Sequence, residues 1–150
     1  MNNPQESPWS NPRFRNWVAV IRASKAVGRA LAKALAPLDL KVVQLDLLMN
    51  VHRHPGISQQ DVANRLLVGR SNVTMLLPEL EKKGLLTRSA DEKDKRVMRL
   101  ELTPKGEELL SRALLAYNAL IDRVMAQNSE IECALIGASM ARIADALEND

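Results

Sequence analysis

The chain has 150 residues, the length of one ordinary domain, and 46% of them are hydrophobic, which is enough for a core. Only 3% are aromatic, so aliphatic side chains must fill that core, a composition that favours helices. The formal charge of +3 permits an anionic partner without requiring one, a single cysteine excludes an internal disulfide, and no apolar stretch approaches the ~20 residues of a membrane span. Because the start of the chain is polar and rich in proline, we expect no signal peptide and a cytoplasmic location.

The first part of the chain is predicted to form an arm and one long helix. Three prolines among Asn and Ser predict an extended arm over residues 1–12. Apolar residues then recur at three- and four-residue steps over residues 13–36, with Arg and Lys at many of the remaining positions. This pattern predicts an amphipathic helix that Pro37 ends.

Three shorter helices are predicted in the middle of the chain. The first spans about residues 41–52. Ser58 is placed to cap the second, over residues 59–66, with an acidic residue three positions later to complete a capping box. Ser71 is placed to cap the third, which runs from about residue 72 to 83. The short link between the last two predicts a helix-turn-helix.

A charged hairpin follows. Two alternating segments, residues 85–88 and 97–102, flank the run Asp91-Glu92-Lys93-Asp94-Lys95-Arg96. The basic side chains of this tip suit the regularly spaced phosphates of a nucleic-acid duplex. The formal charges of the acidic and basic residues in the tip cancel. We expect Asp94 to pair with Arg96 or to cap the turn, which would hold the basic side chains in one orientation. A solvated loop without a partner is the alternative.

Two long helices are predicted at the end of the chain. Thr103-Pro104 starts the first, with proline in the first helical position, where its missing N–H does no harm. Ser129 and Glu132 form a capping box for the second, which runs to about residue 147. One small lobe covers only part of such long apolar faces, and helices with uncovered faces commonly pair with a second copy of the chain.

The segment HPGISQQDVANRLLVGRSNVTMLLPELEKKGLLTRSADEKDKRVMRLELTPKGEELL is similar to the MarR family of winged helix-turn-helix transcriptional regulators. The matching pieces are the Pro-Gly-x-Ser lead-in, the Asp-Val-Ala of the supporting helix, Asn-Val-Thr, Leu-Glu-Lys-Lys-Gly-Leu, Asp-x-x-Asp-x-Arg and Leu-Thr-x-x-Gly, in that order. The fold expected is mainly α with a small β-hairpin wing. Residues 40–103 would form the DNA-binding lobe, and residues 13–39 and 104–150 the dimerisation helices.

The resemblance also implies a function. Such a homodimer would place two winged lobes on successive major grooves of a near-palindromic operator, ~34 Å apart. It would act as a repressor that leaves double-stranded DNA when a small, often aromatic or phenolic, effector binds. No cofactor is implied. The DNA-binding residues carried over from the family, position by position, are Arg70, Ser71, Asn72, Thr74 and Met75 around the recognition helix and Lys93, Lys95 and Arg96 in the wing, with Asp94 orienting the wing. Ser71 is equally compatible with a capping role alone.

Four positions depart from the family pattern. Pro78 interrupts the recognition helix, where it deletes a backbone hydrogen bond at a cost of ~3 kcal/mol in a regular interior and predicts a bend. Glu79 replaces a commonly basic residue and so removes a phosphate contact. Lys95 stands where arginine is common, and Lys41 where Ser or Thr often caps the second helix. Pro78, Glu79 and the acidic tip of the hairpin keep a second hypothesis open, a winged protein-interaction module that does not bind DNA.

Other chemistry has weaker support. His52 and His54 have no cysteine or carboxylate at ligand spacing, so no metal site is expected, and no phosphate loop or nucleophile motif predicts an enzyme. Cys133 lies on the last helix beside an acid, which fits a buried core thiol, with a thiol redox sensor as the alternative. The effector site is not predicted. Its candidate lining residues, each equally compatible with a core or surface role, are Trp17, Arg22, Gln44 and Met49.

Overall fold

The computed structural model describes residues 7–66 and 73–148. Within those residues each predicted helix and the predicted hairpin are present, and most of their ends lie within one or two residues of the predicted ones. The elements, in chain order, are α1 (Phe14–Leu35), α2 (Val42–Arg53), β1 (Ile57–Ser58), α3 (Gln59–Arg65), α4 (Val73–Lys82), β2 (Leu86–Ala90), β3 (Met98–Leu102), α5 (Pro104–Met125) and α6 (Glu130–Glu148). The predicted fold class, mainly α with a small β wing, is confirmed.

The sheet has three antiparallel strands in the order β1-β3-β2. The hairpin register pairs Leu86 with Leu102 and Ala90 with Met98. Strand β1 pairs Ile57 with Leu100 and was not predicted, because two residues cannot show an alternating pattern. The added strand ties the start of the helix-turn-helix to the base of the wing.

Local capping explains where several helices begin and end. The Ser58 hydroxyl accepts a hydrogen bond from the Asp61 N–H at 3.0 Å, and the Ser129 hydroxyl accepts one from the Glu132 N–H at 3.3 Å, as their spacing predicts. Gly84, two residues beyond the last residue of α4, adopts φ of 71°, the left-handed conformation that ends a helix. At α2, the Lys41 N–H donates to Gln44 Oε1 at 2.9 Å, so the glutamine side chain satisfies the backbone N–H of the residue that precedes the helix.

The hydrophobic core lies in the central lobe. Its buried members are Leu31, Leu35, Leu40, Leu45, Leu47, Leu48, Val51, Ile57, Val62, Leu66, Val73, Leu76, Leu77, Leu80, Leu85, Leu86, Leu100, Leu110, Ala113 and Leu120. Helix α1 contributes to it only at its C-terminal end, where it packs on α5. Helix α6 has no buried residue at all, so its apolar side chains face outward in the single chain.

The described part of the N-terminal arm is less extended than predicted. Pro8–Ser10 forms one 3-10 turn before α1, since proline fixes a φ suited to a turn. The Trp9 ring contacts Phe14 edge-on, with centroids 4.7 Å apart, but 78% of Trp9 stays exposed. In the described parts of the chain, every helix is too short or too polar to cross a lipid bilayer.

Candidate nucleic-acid interface

Helix α4 has one buried and one exposed face. Its buried side chains are Val73, Leu76, Leu77 and Leu80, which pack into the lobe. Thr74, Met75 and Pro78 lie on the opposite, exposed side. The helix continues through Pro78 to Lys82, and the bend expected there stays a prediction. Three of the predicted DNA-binding residues lie outside the described residues, namely Arg70, Ser71 and Asn72.

Ion pairs hold both edges of α4 to the rest of the lobe. Glu79 Oε1 lies 3.3 Å from Lys41 Nζ at the start of α2. The sequence alone suggested only that Glu79 removes a phosphate contact, whereas in the structure it forms an ion pair within the lobe. Glu81 Oε2 lies 2.7 Å from Arg88 Nη2 on strand β2. The hydrogen bond that the Arg88 guanidinium donates to Glu81 raises the pKa of Arg88. Helix α4 is therefore held by ion pairs to both α2 and the wing.

A third ion pair fixes the end of α4. Lys83 Nζ donates to the Asp39 carbonyl oxygen at 3.0 Å and to Asp39 Oδ2 at 2.9 Å. The hydrogen bond from Lys83 lowers the pKa of the Asp39 carboxyl group. Asp39 has φ of 50°, a left-handed conformation that aspartate tolerates better than most residues.

Asp91 organises the turn at the tip of the wing. Its Oδ2 accepts the N–H groups of Lys93 and Asp94 at 3.0 and 3.1 Å, and its Oδ1 accepts Arg99 Nε at 2.8 Å. The backbone hydrogen bond from Asp94, followed by the contact with Arg99, lowers the pKa of Asp91. Arg99 Nη1 also reaches the Gly56 carbonyl oxygen at 3.3 Å, which joins the tip to the residue before β1. The roles of Asp91 and Arg99 were not predicted, although their spacing across the hairpin could have indicated a cross-strand pair.

Asp94 both caps the turn and contacts Arg96. Its Oδ1 accepts the backbone N–H of Arg96 at 3.1 Å and the side-chain Nε at 3.0 Å, while Oδ2 accepts Nη2 at 3.0 Å. The hydrogen bonds from the Arg96 side chain lower the pKa of the Asp94 carboxyl group. The Arg96 side chain is 91% exposed, so two of its five N–H groups are held while the others point to solvent.

The tip has three acids and three bases, and the pairing of Asp91 with Arg99 leaves a local excess of one positive charge. Asp91 is neutralised by Arg99, which lies outside the tip, and Asp94 is held by Arg96. Lys93 and Lys95 are exposed, and neither has an ion-pair partner in the described part of the chain. The wing therefore presents three cationic side chains on a turn whose backbone is fixed.

An open cavity of about 460 Å³ lies between the start of α3 and the wing. Its lining residues are Ser58, Gln59, Gln60, Arg96, Val97 and Met98. This cavity shows that Arg96 and the polar start of the helix-turn-helix border the same surface.

The two histidines and the single cysteine were considered as candidates for other chemistry. Within residues 7–66 and 73–148, no group of three or more His, Cys, Asp or Glu side chains could hold a metal ion. His52 Nδ1 instead lies 2.8 Å from Glu107 Oε2, which links α2 to α5. Cys133 is partly buried, less than expected of a core thiol, and its Sγ donates to the Met125 carbonyl oxygen at 3.7 Å.

A second cavity, of about 340 Å³, lies where the central lobe meets α5. Its lining residues are Leu38, Asp39, Lys83, Leu85, Lys105, Glu108, Leu109 and Arg112, which include none of the four candidate effector-lining residues. Among those four, Gln44 is fully buried, and its Nε2 has no hydrogen-bond partner within the described residues.

The sequence and the fold of the chain are similar to those of known transcriptional regulators. The sequence profile of the MarR family matches residues 38–97. The HTH-type transcriptional repressor MdtR of Bacillus subtilis (strain 168) is 31% identical over 107 residues, which are 71% of this chain and 69% of the relative. The transcriptional repressor CouR, solved bound to a 23-mer DNA duplex, is 26% identical. Its alignment covers 96% of this chain and 99% of CouR, with a TM-score of 0.80.

A more distant structure shares the fold. The PcaV transcriptional regulator of Streptomyces coelicolor, solved in complex with its natural ligand, is 22% identical. The alignment covers 94% of this chain and 96% of PcaV, with a TM-score of 0.76.

Proposed function

Because the chain belongs to the MarR family of transcriptional regulators, we propose that it is a dimeric repressor that binds double-stranded DNA sequence-specifically and is released by a small effector. The observation that carries the proposal is the wing: Arg96, clamped by Asp94 and 91% exposed, lies beside the helix-turn-helix on a surface with Lys93 and Lys95. Because Asp94 already holds the Arg96 side chain, less conformational entropy is lost when this arginine binds a phosphate or enters the minor groove.

We place the reading of DNA on α4 and on the turn before it. In a helix-turn-helix the second helix enters the major groove, while a wing reaches the adjacent backbone or minor groove. Thr74 and Met75 are exposed on α4, as such a role needs. The predicted contacts of Arg70, Ser71, Asn72, Thr74, Met75, Lys93, Lys95 and Arg96 with DNA are part of this proposal.

The dimer follows from the uncovered helices. Exposed apolar residues on α1, α5 and α6 include Trp17, Val27, Leu115, Ile131 and Leu135. A helix gains most of its stability by packing its apolar face, and α6 has no buried residue within one chain. A second copy of the chain, packed along these helices, would cover that surface. We assign residues 13–39 and 104–150 to this dimerisation domain and residues 40–103 to the DNA-binding lobe.

An effector would act by favouring a spacing of the two lobes that does not match the operator. The cavity at the junction of the lobe with α5 and the buried amide of Gln44 are both places where a ligand could couple the two parts of the chain. Small aromatic and phenolic acids are the first candidates to screen by thermal shift. We assign the protein no enzymatic activity and a cytoplasmic location.

The DNA-binding proposal is tested by fluorescence anisotropy with a duplex from the region upstream of the protein's own gene, across a salt series. We expect Arg96→Ala to weaken binding and to reduce the slope of log K against log [salt] by about 0.9, one phosphate contact. Arg123→Ala, an exposed arginine on α5 that lines neither cavity, is the control and should change neither. An unchanged affinity and slope for Arg96→Ala would contradict the role of the wing.

The neutral exposed face of α4 favours one alternative, a winged module that binds another protein instead of DNA. Thr74, Met75 and Pro78 carry no charge, and Glu79 adds an acid at the edge of that face. Failure to form a specific complex with the upstream duplex at moderate salt would support this module. The thiol-sensor hypothesis predicts instead that diamide releases the protein from DNA and that Cys133→Ser abolishes this effect.

A further inference from the structure

The exposed face of α4 is chemically unusual for a surface that meets DNA. Met75 is 77% exposed, and Thr74 and Pro78 lie beside it, one turn apart on the same side of the helix. Neither methionine nor proline has a side-chain hydrogen-bond donor, and the threonine hydroxyl is accompanied by a methyl group. The exposed face of α4 thus presents mainly methyl and methylene groups, and it has no side chain that could donate two hydrogen bonds to one base.

The charged residues nearest to this face are directed elsewhere. Glu79 is paired with Lys41 and Glu81 with Arg88, so two edges of α4 are occupied by contacts within the lobe. Lys82, at the end of the helix, is exposed. The apolar face is also separate from the uncovered surfaces of α1, α5 and α6, because α4 belongs to the central lobe. The Glu81–Arg88 ion pair links α4 to strand β2 of the wing.

The floor of the major groove presents one apolar group, the C5-methyl group of thymine, while guanine, adenine and cytosine present polar groups there. Guanine is read by Arg or Lys and adenine by Asn or Gln. None of these four residue types lies among Thr74, Met75 and Pro78. Burying Met75 against a polar base edge would leave base donors or acceptors unpaired, whereas contact with a thymine methyl group removes apolar surface from water on both sides.

We propose that Thr74, Met75 and Pro78 select the operator by apolar contact with thymine methyl groups in each half-site. The inference rests on the proposed function and adds the chemical class of base that α4 reads. Met75 contributes most of the selectivity, because it is the longest of the three side chains and is 77% exposed.

The test begins with selection of duplexes from a random library by the purified full-length dimer. Each thymine of the selected half-site is then replaced in turn by deoxyuridine, which removes the methyl group and keeps the base pair. At one or two positions opposite α4 we expect binding to weaken about fourfold for each methyl group lost. Replacement of thymines elsewhere in the site should have little effect.

Variants then assign the selectivity to the helix. Met75→Ala should bring the ratio of thymine to uracil affinity close to one at the sensitive position, and Thr74→Ser, which removes only a methyl group, should reduce the ratio less. Arg96→Ala is the matched control: it should weaken binding to both duplexes equally and leave the ratio unchanged.

The outcomes separate this inference from the function on which it rests. If no duplex is enriched, DNA binding itself fails and the proposed function is overturned with the inference. If a duplex is enriched but uracil replaces thymine without effect at every position, only the inference is overturned. A uracil effect that survives unchanged in both Met75→Ala and Thr74→Ser overturns it as well.

Discussion

Lys41 and Glu79 form an ion pair across the central lobe, with Nζ and Oε1 3.3 Å apart. In the sequence they are two separate departures from the family pattern, one at the start of α2 and one in the recognition helix. In the structure each is the partner of the other. The basic residue at the start of α2 and the acidic residue on α4 brace the same helix, so Glu79 does not simply remove a contact with DNA.

Reversing the charges of this pair should show that the two departures compensate. Lys41→Glu and Glu79→Lys should each lower the free energy of unfolding by up to about 1 kcal/mol, because both side chains are exposed and solvent screens the pair. The double reversal should recover most of that loss in urea denaturation. The recovery should fade in about 1 M salt, where the screening length is near 3 Å. Strictly additive effects at low salt would show that the pair is not coupled.

The acid–base behaviour of the wing gives a second prediction. The carboxyl group of Asp94 should titrate below its ordinary pKa of 3.8 in an NMR titration, because the Arg96 side chain stabilises the charged form. Arg96→Gln should move that pKa back toward 3.8. Since the folded-state pKa lies below the unfolded one, the stabilisation is present above about pH 3.8 and is lost as pH falls through the folded-state pKa.

Asp39 supplies the control for that titration. Its pKa is lowered by Lys83, far from the wing, and it should keep its wild-type value in Arg96→Gln. If Asp94 titrates at 3.8 in the wild type, the clamp on Arg96 does not exist in solution.

Two glycines should respond differently to substitution. A Cβ at Gly106 would overlap the carbonyl oxygen of Leu85, which already accepts the Thr103 N–H at 3.1 Å. Gly106→Ala should therefore force the wing base away from α5 and cost about 2 kcal/mol or more in unfolding free energy, as overpacking does. At Gly84 the difficulty is φ of 71° rather than space, so Gly84→Ala should cost about 1 kcal/mol.

Asparagine distinguishes these two causes. Because it tolerates the left-handed region, Gly84→Asn should be milder than Gly84→Ala. Gly106→Asn should be at least as damaging as Gly106→Ala, since it adds more atoms to the same space. Equal effects of Ala at both positions, with rescue by Asn at both, would contradict the close approach of Leu85.

The uncovered face of α6 gives a fourth prediction. Ile131 and Leu135 are 74% and 62% exposed in the single chain, one helical turn apart. If they pack against a second chain, the double substitution Ile131→Glu and Leu135→Glu should raise the dimer dissociation constant at least about a hundredfold. Light scattering after gel filtration would show a monomer. Fluorescence anisotropy would show that the variant no longer binds the operator.

A conservative control accompanies the dimer test. Ile131→Val with Leu135→Met keeps the surface apolar and should leave the dimer intact. A monomer formed by both variants would indicate general unfolding, and a dimer in the glutamate variant would place the interface elsewhere.

The sequence by itself determined the order of the helices, the caps at Ser58 and Ser129, and the existence of a charged wing. These features depend on interactions within a few residues: the spacing of apolar side chains, the Ser58 and Ser129 caps, and the glycine after α4. The expected contact of Asp94 with Arg96 is local for the same reason, since only two positions separate the residues.

Only the tertiary structure decided which distant residues meet. Strand β1 exists because β3 offers it a partner more than forty positions later, and the contacts of Glu79 with Lys41 and of Arg99 with Asp91 and Gly56 depend on the same packing. Tertiary packing also decided that no residue of α6 is fully buried within one chain and that Met75 points away from the core. Local periodicity shows that a helix has an apolar face, but what covers that face depends on parts of the chain, or of another chain, that are far away in sequence.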